Sequence, residues 1–245
     1  MSWFGVTHPH LAKMRPPSAA CRKMTKSRAE ERARPFIVSA TPASLELFLT
    51  AAITGEYRSF DKLTDDALQM TAARQGGEAS ADDRAVLREA LGKIPAYPDV
   101  RPGLQRLKKA AFTVANLTNS TAKSATTLLE HAGIRDLFDH VLSVDAIERY
   151  KPAREAYEYA AQRLRVNLGD IMLVAAHAWD IAGATAAGAA AAFVKRPEKV
   201  LSPGGPQPRF QAPDLQELAE QVVATYPAMD ANTMAHGPKR NLAPT

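Results

Sequence analysis

The chain has 245 residues, 46% of them hydrophobic and 23% charged, with 13 Gly, 17 Pro and one cysteine. This composition excludes disordered, collagenous and fibrous classes, and the length suffices for a large core or for one domain carrying a smaller inserted one. The net charge of +5 is concentrated in residues 1–34, which carry eight basic and two acidic side chains, while the other 211 residues sum to −1; the neutral body argues against a nucleic-acid partner.

In chain order, residues 1–34 combine that basic charge with His8, His10, the Pro16-Pro17 pair and Cys21, and show no apolar periodicity. The segment reads as a basic arm, with a transit peptide or a nucleic-acid tail as the functional alternatives. A single cysteine permits neither an internal disulfide nor a cysteine-based zinc site, so the cytoplasm is the default compartment. Pro35 to Thr41 is a short apolar run that predicts a strand. Leu45 to Ile53 has helical spacing, and a second helix through Leu63, Ala67, Leu68 and Met70 is capped by Ser59 or Asp61 and stopped by Gly76-Gly77. Ser80 with Asp83 three residues on predicts the cap of a third helix carrying Val86, Leu87 and Leu91. The block 45–94 is thus a helical module without a strand.

After the turn-rich stretch Ile94 to Asp99 the period changes. Helices over 101–109, 121–132, 153–165 and 178–187 alternate with strands Phe112–Leu117, His140–Val144, Ile171–Ala176 and Ala190–Val194. Short apolar strands separated by helices of about ten residues specify an α/β fold, a doubly wound parallel sheet covered on both faces. Ile181 to Val194, the longest uncharged run, is too short and too weakly hydrophobic to span a bilayer, so no membrane partner is expected. Residues 202–209 predict a loop, Pro213–Val223 a closing helix, and 227–245 a loose tail.

Ligands of open parallel sheets bind at the carboxyl ends of the strands. One strand empties into Thr118-Asn119-Ser120-Thr121, hydrogen-bonding residues at a helix start that could cradle an anion or simply cap the helix. The next is followed by Tyr150-Lys151-Pro152, and the third by His177-Ala178-Trp179-Asp180, whose carboxylate could meet that lysine or cap its own helix.

Taken together, Leu117-Thr-Asn-Ser120, Phe138 to Asp145, Tyr150-Lys-Pro152 with Tyr157, and Ala175-Ala-His-Ala-Trp-Asp180 resemble the haloacid dehalogenase superfamily and, within it, the 2-haloacid dehalogenases. The resemblance covers about Leu45 to Leu218, and implies a helical cap at 45–97 on an α/β core at 98–226. It further implies that Thr118 and Asn119 hold the substrate carboxylate, that Lys151 balances the charge of a nucleophilic carboxylate, and that Asp180 orients Lys151 and positions the hydrolytic water. Phe60, Tyr157, His177 and Trp179 would line the pocket. The substrate class is a short 2-haloacid, the product a 2-hydroxy acid, and the assembly a homodimer. No cofactor is expected. No metal is expected either, because the last motif offers His177 and one acid where the phosphatase relatives carry paired acids.

The sequence departs from that family at the N-terminus. The family's nucleophile is the Asp of an Asp-x-x-x-Thr motif after a first strand, whereas no Asp precedes Asp61 here and the only acids in 1–44 are Glu30 and Glu31. The family's halide-receiving Arg is also missing, since the residues before Leu45 read Ala40-Thr-Pro-Ala-Ser44. A shifted reading frame across roughly 1–44 would account for preserved length, lost motif and recovery at Leu45 together. Two functions follow: a hydrolase acting on carbon–halide bonds, or a catalytically empty relative that binds small carboxylates or a protein partner. A Mg²⁺-dependent phosphatase is the minor third.

Overall fold

The computed structural model describes residues 43–227; the basic arm, the expected strand Pro35–Thr41 and the tail from 228 onward lie outside the described residues. Three helices come first: α1 over 43–54, α2 over Phe60–Arg74 and α3 over Ala81–Gly92. Ser59 stands at the start of α2 without a side-chain cap bond, and the entry is fixed instead by Phe60 and Leu63 packing with Phe48 of α1. The helix stops where Gly76 takes φ +75°, a left-handed conformation open to glycine at no steric cost. The start of α3 is a reciprocal cap, with the Asp83 amide donating to Ser80 Oγ (3.2 Å) and the Ser80 amide to Asp83 Oδ2 (2.8 Å), an arrangement that stabilises a helix by about 1 kcal/mol.

From residue 100 helices and strands alternate: α4 Val100–Lys109, β1 Ala115–Thr118, α5 Ala122–His131, β2 His140–Ser143, α6 Arg154–Leu164, β3 Met172–Ala175, α7 Ala178–Ala187, β4 Ala190–Val194, β5 Phe210–Ala212 and α8 Leu215–Thr225. Every ladder is parallel: Ala115 lies opposite His140, Met172 opposite Ala190, and Ala192 opposite Phe210. The α/β class expected from the alternation is therefore what the chain adopts. All five residues of β4 are buried, as expected for a strand covered on both faces.

Three details differ from the expectation. Among the described residues the strands form two ladders, β1–β2 and β3–β4–β5, instead of one continuous sheet. The strand expected at Phe112 begins at Ala115, because α4 ends through Ala111 at φ +60° and the chain needs three more residues to regain an extended, paired course. The strand β5 was not expected; three residues lying between Pro208 and Pro213 are too few to display a period.

The main core gathers Val100 and Leu104 of α4, Leu128 of α5, Val194 of β4, and Leu215 and Leu218 of α8. Helices α4 and α8 approach so closely that a Cβ on Gly103 would lie 2.8 Å from the Leu215 carbonyl oxygen. Ahead of α4, Asp99 accepts two bonds from Arg196 after β4 (2.9 and 2.7 Å) and one from the Leu215 amide (2.7 Å). Among the described residues no helix is long and apolar enough to cross a membrane.

Candidate active site

Three strand ends build the site. β1 runs into Thr118-Asn119-Ser120, where the Ser120 amide donates to Thr118 Oγ1 (3.0 Å) and Thr121 caps α5 by accepting from the Ser124 amide (3.2 Å). β2 ends at Ser143, whose hydroxyl donates to the Ser120 carbonyl (2.8 Å) and so pins the two strand ends together. β3 ends two residues before His177, the residue that precedes α7, and Asp180 sits in the first turn of that helix.

Lys151 and Asp180 meet at the centre, with Nζ 2.9 Å from Oδ2 and each side chain only 1% exposed. The second carboxylate oxygen, Oδ1, accepts from the Tyr157 hydroxyl (2.8 Å). A buried ion pair is tolerable when hydrogen bonds satisfy the remaining lone pairs, and Asp180 meets that condition. Burial, reinforced by the neighbouring Asp180 charge, pushes the Tyr157 phenol far up and keeps it a donor.

Asn119 grips the main chain of Lys151 at both polar atoms: its Oδ1 accepts from the Lys151 amide (2.9 Å) and its Nδ2 donates to the Lys151 carbonyl (3.2 Å). Thirty-two residues separate the partners, so this clamp has no local signature in the sequence. Nor do Tyr57, which donates to Asp145, and Tyr150, which donates to the Arg58 carbonyl (2.8 Å); the two hold the α1–α2 connection against the loop that leads to Lys151.

Next to Asp180 in the chain, Trp179 meets Phe48 (5.4 Å between centroids) and His177 (5.7 Å) in tilted ring contacts, while Phe60 lies in the same apolar group as Phe48, Leu63, Val144 and Tyr150. His177 Nδ1 and Trp179 Nε1 are buried without a hydrogen-bond partner. Burial pushes the imidazole down to about 3, with the Lys199 and Lys151 charges acting in the same direction, so His177 is neutral at pH 7.

A cavity of about 340 Å³ takes in Lys151, Tyr157 and Asp180 and extends between β1 and β3 along a mainly apolar wall. Phe60, Thr118, Asn119, His177 and Trp179 are outside that wall. Of the residues singled out in the sequence, the fold thus joins Lys151, Asp180 and Tyr157 in one contact group, backs it with Asn119, and gathers Phe60, His177 and Trp179 in a separate aromatic group around Phe48. Among the described residues Asp180 is the sole carboxylate ion-paired with Lys151. With one oxygen on Lys151 and the other on Tyr157, both carboxylate oxygens of Asp180 are engaged.

Comparison with known proteins matches residues 13–188 to the family of haloacid dehalogenase-like hydrolases. An (S)-2-haloacid dehalogenase of Pseudomonas sp. (strain YL) is 32% identical over 176 residues, which is 72% of this chain and 76% of that protein. A second (S)-2-haloacid dehalogenase, from Pseudomonas sp. (strain CBS-3), is also 32% identical, over 71% of this chain and 76% of that protein. Among solved structures, the L-2-haloacid dehalogenase of Xanthobacter autotrophicus with chloropropionic acid covalently bound superposes with a TM-score of 0.73 at 26% identity, covering 79% of this chain and 90% of that one.

Proposed function

The chain belongs to the haloacid dehalogenase-like hydrolases, and from that membership we propose that its site serves the hydrolytic dehalogenation of short 2-haloalkanoic acids to 2-hydroxy acids. The supporting observation is the buried Lys151–Asp180 pair with Tyr157 on the second carboxylate oxygen, set on the cavity that β1 and β3 line. In this chemistry a carboxylate attacks C2, the carbon–halogen bond breaks with its electron pair leaving on the halide, and water hydrolyses the resulting ester to restore the acid. Lys151 keeps the attacking carboxylate ionised, and Asp180 holds Lys151 in place and directs the water.

Thr118 and the start of α5 receive the substrate carboxylate, together with the N–H of Asn119 that its clamp on Lys151 does not use. Helices α1 to α3 act as a cap over the core; Phe60, Tyr157, His177 and Trp179 flank the substrate in this reading, with Tyr157 alone of the four also lining the cavity of about 340 Å³. A cytoplasmic homodimer without cofactor or metal completes this reading, and light scattering tests the assembly.

A second reading is favoured by the absence of any Asp before Asp61: the chain of this sequence binds small carboxylates without turning them over. Loss of a central catalytic group costs on the order of 10⁴–10⁶ in rate, and oriented binding does not replace it. Chloride release from each enantiomer of 2-chloropropionate separates the two. Turnover of one enantiomer at about 1 s⁻¹ or faster supports the enzyme, whereas saturable binding without chloride supports the empty site. Little or no release is the result that the second reading expects.

A further inference from the structure

The loop from β2 to α6 meets the connection between α1 and α2 at three points. The Tyr57 hydroxyl donates to the Asp145 carboxylate, and the Tyr150 hydroxyl donates to the Arg58 carbonyl (2.8 Å). The Arg149 guanidinium lies so close to Gly55 that a Cβ there would be 2.8 Å from Nη1. Gly55 takes φ +75°, so this position is closed to a side chain twice over, by space and by conformation. The rings of Tyr57 and Tyr150 stand 5.2 Å apart. Burial, reinforced by the bond to Asp145, pushes the Tyr57 phenol up and keeps it a donor.

Two chains of contacts run from this junction into the site. In the first, the Asp145 amide donates to Ser143 Oγ (3.1 Å), Ser143 Oγ donates to the Ser120 carbonyl (2.8 Å), and the Ser120 amide donates to Thr118 Oγ1 (3.0 Å). Thr118 and Ser143 are opposite one another in the last paired position of β1 and β2, so beyond them side chains, and no longer the ladder, hold the two strand ends. The second chain is covalent. Tyr150, 1% exposed and packed on Phe48 at 6.1 Å, directly precedes Lys151, whose amide donates to Asn119 Oδ1 (2.9 Å).

We propose that Tyr57 is a positioning residue: through Asp145 and Tyr150 it sets the places of Thr118 and Lys151, so that the connection between α1 and α2 aligns the carboxylate-receiving and charge-balancing sides of the site together. A hydrogen bond to an ionised acceptor is stronger than a neutral one, and successive hydrogen bonds in a chain reinforce each other. One phenol at the head of the network therefore acts on groups that it does not touch. The roles of Thr118 and Lys151 rest on the proposed function; their coupling to Tyr57 does not.

The amides of Ser120, Asp145 and Lys151 each donate to a side-chain oxygen of this network, and their hydrogen exchange, followed by nuclear magnetic resonance on the full chain, reads the coupling without any turnover. Tyr57→Phe removes the hydroxyl and keeps the ring. Exchange of the three amides should accelerate in that variant by on the order of tenfold, with the amides of β4 unchanged. Asp145→Asn, which retains an acceptor for Tyr57, should stay near the original chain, and Asp145→Ala should reproduce Tyr57→Phe. Lactate, the 2-hydroxy acid formed from 2-chloropropionate, should bind Tyr57→Phe about fivefold to tenfold more weakly in a calorimetric titration. Unchanged exchange at Ser120 and Lys151 overturns the proposal, as does an equal acceleration in β4 or lactate binding of undiminished strength. Absence of lactate binding in the unmodified chain counts against the proposed function instead, and the exchange rates then decide the coupling alone.

Discussion

At the scale of single residues, the site rests on a lysine that is held from both ends: its ammonium by Asp180 and its main chain by Asn119. Removing the ammonium with Lys151→Ala would leave a buried carboxylate without its cation, which costs about 3–5 kcal/mol. Replacing both partners together, with Lys151→Met and Asp180→Leu, should recover most of that loss in a urea titration, since no buried charge then remains; a double variant as unstable as the single one would contradict the pairing. The neutral imidazole of His177 gives stability a definite pH dependence. Its folded value, about 3, lies below the unfolded value of about 6.5, so the unfolded chain binds the extra proton in the window between them. Stability should therefore fall as pH drops from about 6.5 toward 3, and His177→Asn should flatten that part of the profile. The approach of Lys151 and Asp180 could be anticipated in the sequence from their strand-end positions. The Asn119 clamp could not, because an asparagine after a strand looks the same whether its amide faces a ligand or a main chain 32 residues away.

At the scale of elements, α7 shows why some segments are legible and others are not. Its observed range, Ala178–Ala187, is the predicted one, because a run of small residues ends at Gly188, which takes φ +100°. Strand β1 begins three residues after the start its sequence predicts, since the apolar run opens at Phe112 while the positive φ of Ala111 does not show in residue type. Small residues in α7 also permit close approach to the site. A Cβ on Gly183 would lie 2.5 Å from both Pro152 Cβ and the Tyr157 hydroxyl, and 2.9 Å from the Pro152 carbonyl oxygen. Gly183→Ala should therefore push α7 away from α6, at a cost of about 1–3 kcal/mol. The same shift should break the Tyr157–Asp180 bond. A urea titration reads the stability loss, and unaltered stability would show that the helices have room to spare.

At the scale of the whole molecule, the two ladders on either side of the cavity need a tie, and Asp99 provides one. It stands before α4, on the side of β1, and bonds Arg196 after β4 and the Leu215 amide at the start of α8. Tyr97 adds its ring face 4.1 Å from the same guanidinium. The stretch Ile94 to Asp99 reads in the sequence only as turn-rich; the bonds of Asp99 to Arg196 and Leu215 depend on residues about a hundred positions later, which no local pattern announces. Burial pushes the Asp99 carboxyl up, but the bonds from Arg196 and Leu215 outweigh it and hold the group below its usual range. A carboxyl depressed in the folded state contributes stability that is fully present above its unfolded value of about 3.9 and is lost as pH falls through the folded one. Asp99→Asn keeps an oxygen for the Leu215 amide but removes the charge facing Arg196, so at pH 7 it should cost about 1–3 kcal/mol. The gap between the variant and the original chain should narrow as pH falls below about 3.9 and close once pH passes the lower folded value, where the original carboxyl itself becomes neutral. Denaturant midpoints of both proteins measured from pH 7 down to the acid limit decide it: a gap that stays constant with pH would mean that the tie acts through shape alone and not through the ionised pair.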